Sequence, residues 1–209
     1  MMCLSNENWT LNYLSYNIHG MVDTWKVSLT SSRNSVIEDK YVKWNHNNHF
    51  NVILNVDGSC LGSPIRAGYG GILGNNAGFY LSRFSGYIHN SSDILYAELY
   101  AIYQGLLLAK HKGIVHLICY SDFLLCINII TSPFLKFHVY AVLIQDIKEL
   151  MEQINTTISH TLRKGNHCAN FIVKLDASSN INLICDNSPP SELLPLLQND
   201  ASDTFYMRH

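Results

Sequence analysis

Along residues 50–59 the chain alternates. Phe50, Val52, Leu54 and Val56 fall on one face of an extended segment, and Asn51, Ile53, Asn55 and Asp57 on the other. Apart from Ile53 this is the period-2 pattern of a half-buried strand. It ends on Asp57, immediately before Gly58. Two further strands are expected at residues 68–73 and 78–84, joined through Asn75-Asn76-Ala77, which with Gly78 has hairpin chemistry. The period then changes. Leu95, Leu99, Ile102, Leu106 and Ala109 repeat at helical spacing, with Ser91 or Ser92 as cap, Asp93 in the first turn and Gly113 as the stop. An apolar run at 115–120 reads as a strand ending in Ser121-Asp122. A short helix follows at 123–131, a break at Pro133, an amphipathic helix at about 138–154, a fifth strand at 158–162, and a last helix from Asn166 to about residue 175.

The order is three strands, helix, strand, two helices, strand, helix: an α/β chain. The ends are less patterned. Residues 1–43 read as a poorly specified extension, with Val42 and Trp44 as an apolar anchor into the first strand. Residues 44–178 carry the domain. Residues 179–209 form a tail in which Pro189-Pro190 marks a linker and the leucines at 193–197 an apolar clip onto the domain.

Composition narrows the class. The 209 residues suit one domain with extra ends, or at most two small ones, and 47% hydrophobic with 14% charged residues provides for a substantial core. No run reaches the length a membrane helix needs, so no membrane partner is expected. Residues 1–25 hold no Lys or Arg, which fits neither a secretory signal nor a transit peptide and leaves nucleus or cytoplasm as the default. The six cysteines form no C-x-x-C pair, so they are read as reduced core fillers rather than zinc ligands. His46 and His49 read as solvated loop residues. A formal charge of −2 gives no global basic footprint, so nucleic-acid binding would need a local patch.

Three acids stand at telling places. Asp57 ends the first strand, Asp122 ends the fourth, and Glu98 lies at the edge of the apolar stripe of the first long helix. Each alone has a plain reading: an aspartate before glycine marks a turn, and an edge glutamate reaches solvent. Together, in an α/β sheet whose first and fourth strands lie side by side and parallel, they converge at one end. Converging carboxylates suit two-metal hydrolysis of a phosphodiester. The glycines of Gly68-Tyr69-Gly70-Gly71 are not a phosphate loop, because no helix and no Lys-Ser/Thr pair follows; close strand packing accounts for them.

Five blocks in this order resemble the type 1 ribonuclease H family, in particular plant RNase H-like domains related to the C-terminal parts of non-LTR retroelement reverse transcriptases. They are L-N-V-D-G-S at 54–59, G-Y-G-G-I-L at 68–73, A-E-L-Y-A-I at 97–102, Y-S-D at 120–122 and L-R-K-G-N-H-C-A-N at 162–170. The resemblance implies an RNase H-like fold, with a mixed five-stranded sheet of three antiparallel and two parallel strands flanked by helices. It implies cleavage of the RNA strand of RNA–DNA hybrids with two Mg²⁺ or Mn²⁺ ions, in a monomer. Asp57 would bridge the metals, Glu98 hold one and orient the water, and Asp122 coordinate near the scissile phosphate. The family's fourth carboxylate falls on Asn170, an amide that brings no charge. Its loss is expected to weaken the second metal, at a cost on the order of several kcal/mol of catalysis. Lys164 stands where related proteins have an acid, and Phe123 where a serine is usual. His167 is read as a first-turn helix residue.

Three readings stay open: a ribonuclease working with three carboxylates and an amide, a catalytically silent nucleic-acid-binding module, and a folded remnant without its polymerase. Recognition of the hybrid through backbone and 2′-hydroxyl groups is assigned to Gly58, Ser59, Cys60, Asn90 and Ser92, with Arg66, Arg83, Lys110 and Lys112 as sources of local positive charge.

Overall fold

The computed structural model of the chain describes residues 52–62, 65–75, 78–133, 138–176 and 181–201, with residues 200 and 201 as backbone only. The expectations for residues 1–43, Val42, Trp44, His46, His49, Phe50 and Asn51 lie outside the described residues. One mixed sheet organises the rest, in the order β5-β4-β1-β2-β3-β6. Strand β1 (Val52–Leu61) pairs antiparallel with β2 (Arg66–Asn75), and β2 with β3 (Tyr80–Ile88). On its other side β1 runs parallel to β4 (Leu117–Ser121), and β4 parallel to β5 (Thr156–His160).

The sheet has six strands, not five. Ile184–Asp186 (β6) adds antiparallel to β3, within the segment expected to be tail. Three residues are too few to show a period, and side chains elsewhere hold this strand. The Tyr69 hydroxyl donates to the Asn182 carbonyl at 2.5 Å, and the Tyr80 hydroxyl and Ser82 Oγ donate to the Asp186 carbonyl at 2.8 and 3.0 Å.

Consecutive strand residues face opposite layers. Leu54, Val56, Leu73 and Phe84 pack under helix α1 (Ile94–His111) with Ile144, Ile147 and Leu150 of α3 (Ala141–Gln153) and Cys126 and Ile130 of α2 (Leu124–Thr131). Ile72, the neighbour of Leu73, packs on the other face against Cys168 and Ile172 of α4 (His167–Leu175). The apolar clip closes that layer: Leu193 is fully buried there, and Leu196 and Leu197 of α5 (Leu194–Ala201) pack on it. Ala97, Ala101, Gly105 and Ala109, at every fourth position of α1, are all buried and let the helix lie close on the sheet.

Two local expectations change. Helix α1 starts at Ile94 and its cap is Asp93, whose Oδ1 accepts the N–H of Leu95 at 2.8 Å and of Tyr96 at 3.3 Å; Ser91 Oγ instead accepts the N–H of Asp93 at 3.3 Å. Strand β5 begins two residues early, directly after Asn155, whose φ of 42° turns the chain out of α3. The glycine run is strand interior: a Cβ on Gly71 would stand 2.7 Å from the Phe84 ring.

Candidate active site

The parallel pairing of β1 with β4 sets the first two acids. Asn55 is opposite Tyr120 and Val56 opposite Ser121, so Asp57 and Asp122 follow in the same register at the C-terminal ends of adjacent strands. Open α/β sheets place ligands at such ends. Helix α1 supplies the third acid. Its first turns cross the end of β1 at Gly58 so closely that a Cβ there would lie 2.5 Å from the Glu98 nitrogen and 2.7 Å from the Ala97 carbonyl carbon. The approach turns Glu98 inward, and its side chain is buried rather than reaching solvent from the edge of the stripe. Oxygens of Asp57, Glu98 and Asp122 all lie within 4.8 Å of one another.

Three carboxylates at that separation cannot all stay ionised unaided. Burial, then the charge of Asp122, pushes Asp57 up to about 7. Burial, then the charges of Asp57 and Asp122, pushes Glu98 up to about 9, although the Gly58 N–H donates to its carboxylate. The other oxygen, Oε2, is buried without a hydrogen-bond partner. A buried acceptor left unmade is costly, and a hard cation is the partner that three clustered carboxylate oxygens fit. The donor set therefore suits Mg²⁺ or Mn²⁺.

The α4 side of the cluster is built differently. Buried Asn166 sends Nδ2 to the Val56 carbonyl at 2.8 Å, pinning the start of α4 to β1 one residue before Asp57. This side chain does not cap the helix it precedes, and its Oδ1 is buried without a hydrogen-bond partner. One turn on, Asn170 Nδ2 donates to Asp57 Oδ2 at 3.2 Å. Arg163, on the 3-10 turn Arg163–Gly165, and Lys174 lower the pKa of Asp57 by their positive charge, as does the Asn170 hydrogen bond. Asn166, Arg163 and Lys174 were not singled out from sequence. The spacing 166, 170, 174 is a helical stripe through the position of the missing carboxylate, and it was there to be read.

The proposed substrate-contact residues fall on one rim beside the cluster. Cys60 Sγ donates to the Ser92 carbonyl at 3.3 Å, and the Ala67 N–H to the Ser91 carbonyl at 2.9 Å, so the end of β1 and the loop before α1 are joined. Asn90, at φ 55°, and Ser92 are exposed there; Ser59 and Cys60 are half-buried. Gly58 is buried beneath α1, at the point where the helix backbone leaves no room for a Cβ.

Of the expected basic residues, Arg83 is corrected. It is buried, with Nη1 2.6 Å from Asp176 Oδ2, and Ser85 Oγ donates to the same oxygen at 2.5 Å. Lys110 and Lys112 sit at the far end of α1, roughly 18–21 Å along the helix axis from Glu98, bonded to Gln153 and Asn187. Arg66 stacks over the Tyr87 ring at 4.3 Å, near the rim. His167 is the first residue of α4, as expected. Phe123 packs against the main core, which accounts for a bulky residue after Asp122.

A six-stranded mixed sheet flanked by helices in this order is an RNase H-like α/β fold. Residues 55–176 match the model of the reverse transcriptase-like family, and the chain belongs to that family. Solved structures carry the same fold. RNase H1 from the halophilic archaeon Halobacterium salinarum is 21% identical with a TM-score of 0.55, the match covering 62% of this chain and 100% of that one. LC11-RNase H1, an enzyme isolated from compost and solved in complex with an RNA/DNA hybrid, is 21% identical with a TM-score of 0.52, covering 60% of this chain and 95% of that one. The foamy viral protease-reverse transcriptase, also solved with an RNA/DNA hybrid, is 14% identical with a TM-score of 0.52, covering 71% of this chain and 23% of that one. No curated protein matches in sequence. Among the described residues no helix is long and apolar enough to cross a membrane.

Proposed function

We propose that this protein is a divalent-metal-dependent endonuclease that cleaves the RNA strand of RNA–DNA hybrids, leaving a 3′-hydroxyl and a 5′-phosphate. The observation that carries the reading is the cluster of Asp57, Glu98 and Asp122 within 4.8 Å, with the buried, unpartnered Oε2 of Glu98 facing the need for a cation. Asp57, Glu98 and Asp122 would hold the metal, whose chemistry when bound would be activation of a water and charge compensation at the leaving oxygen. Glu98, fixed at one oxygen by the Gly58 N–H, would offer the other to the cation and so orient the water bound there. The rim of Ser59, Cys60, Asn90 and Ser92 receives the hybrid backbone, where 2′-hydroxyls distinguish RNA from DNA without base readout. The domain is read as related to plant and retroelement RNase H-like domains, which rests on the five sequence blocks.

A second reading has its own observation. Asn170 replaces the family's fourth carboxylate and donates to Asp57 rather than offering it company, which favours a nucleic-acid-binding module without catalysis. Cleavage of a labelled hybrid in Mg²⁺ and in Mn²⁺ separates the two. Activity in the native protein that disappears in Asp57→Asn supports the enzyme. Activity only in Asn170→Asp, with hybrid binding intact in the native chain, supports the module.

A further inference from the structure

The feature left over from the proposed site is the positive flank on α4. Asn170 and Lys174 are four residues apart and so share a face of that helix, and Asn170 on that face reaches Asp57 Oδ2 at 3.2 Å. Arg163 stands on the turn leading into the same helix, and it makes no ion pair with a described residue. An amide nitrogen directed at a carboxylate is a donor, which is the role opposite to that of a metal ligand.

We propose that the site holds a single divalent cation, on Asp57, Glu98 and Asp122, and that the Asn170 amide, flanked by the cationic side chains of Lys174 and Arg163, takes at Asp57 the place of a second cation. This rests on the nuclease reading above and specifies its metal content. The charge count carries it further. Three carboxylates faced by two cationic side chains leave one net negative charge, which one divalent ion already overcompensates. A second ion on the α4 side would displace the Asn170 hydrogen bond without gaining a carboxylate. The donor contact stands on the α4 side of Asp57, the side from which the fourth carboxylate is missing.

The test counts ions rather than turnover. Mn²⁺ bound per chain is measured by equilibrium dialysis with paramagnetic resonance. The native protein, Asn170→Asp and Lys174→Gln are each measured alone and saturated with a 2′-O-methyl RNA–DNA duplex that resists hydrolysis. The native chain is expected to bind one Mn²⁺ under both conditions. Asn170→Asp with duplex is expected to bind two, and Lys174→Gln to bind its first ion several-fold more tightly. Two ions on the native chain overturn the proposal and leave the nuclease reading standing. One ion on native and Asn170→Asp alike, with unchanged affinity in Lys174→Gln, also overturns it. No ion on the native chain overturns both readings. Should Asn170→Asp not fold, the affinity of Lys174→Gln decides alone.

Discussion

Gly58→Ala tests whether the close crossing of α1 over β1 is what assembles the site. The new methyl carbon would stand 2.5, 2.7 and 2.8 Å from three backbone atoms of Glu98 and Ala97, none of which can rotate away. Restoring ordinary contact requires the first turns of α1 to move outward by about 1 Å. Two consequences follow from that single displacement. Overpacking of this kind costs roughly 1–3 kcal/mol of stability. Glu98 also leaves its place beside Asp57 and Asp122 and strains the hydrogen bond from Gly58. A misplacement of about 1 Å at a reacting centre can lower turnover roughly 10²-fold. Chemical denaturation and Mn²⁺ titration on the same variant measure both, with hybrid cleavage as a third readout. The expected pattern is a moderate loss of stability with a disproportionate loss of metal affinity. A variant that keeps native Mn²⁺ affinity while losing stability would refute the reasoning, because the site would then not depend on the helix–strand approach.

Other expectations concern charge and packing. Asp57 and Glu98 have folded pKa values raised to about 7 and about 9, so the folded state binds more protons than the unfolded chain between the ordinary carboxylate range and those values. Stability without divalent ions is therefore full below the ordinary carboxylate values of 3.8 and 4.5 and falls as pH rises from there, the loss being complete above about 7 for Asp57 and about 9 for Glu98, by an amount on the order of a few kcal/mol. Thermal melts in EDTA should show this fall, and Mg²⁺ should reverse it above neutrality; a flat profile in EDTA would sink the idea. Glu98→Gln should raise the melting temperature in EDTA at alkaline pH while removing tight Mn²⁺ binding. Asp176→Ala leaves the buried guanidinium of Arg83 without its partner and should cost about 3–5 kcal/mol by denaturation, whereas Lys112→Ala, at an exposed hydrogen bond to Asn187, should change stability by less than about 0.5 kcal/mol.

The strands, helices and the convergence of three acids were legible because each rests on a local pattern. Periodicity marked β1 and α1, and two aspartates at strand ends become neighbours as soon as the strands run parallel. What escaped depends on partners remote in sequence. β6 exists because Tyr69, Tyr80 and Ser82 accept a strand too short to announce itself. Arg83 looked like a surface charge because nothing in its strand reveals Asp176, which arrives from the end of α4. Gly58 beside Asp57 read as a turn and a contact residue, and only the path of α1 shows that its missing side chain is what matters.

The two layers hold the cluster by opposite means, and this decides how the site should respond to change. On the α1 face the requirement is steric: Gly58 and the small residues at 97, 101, 105 and 109 bring a carboxylate in against electrostatic resistance. On the α4 face the requirement is polar: Asn166 locks the helix to the Val56 carbonyl, and Asn170 meets Asp57 one turn later. Asn166→Ala removes the partner of a buried strand carbonyl and frees the start of α4. It should cost about 1–3 kcal/mol, and the loss should weaken the Asn170 contact while leaving the placement of Glu98 intact. Metal affinity would then fall less than in Gly58→Ala at equal loss of stability. Matched denaturation and Mn²⁺ titrations of the two variants make that comparison directly. Equal losses of affinity would mean that the layers are not independent and that the cluster is held as one unit.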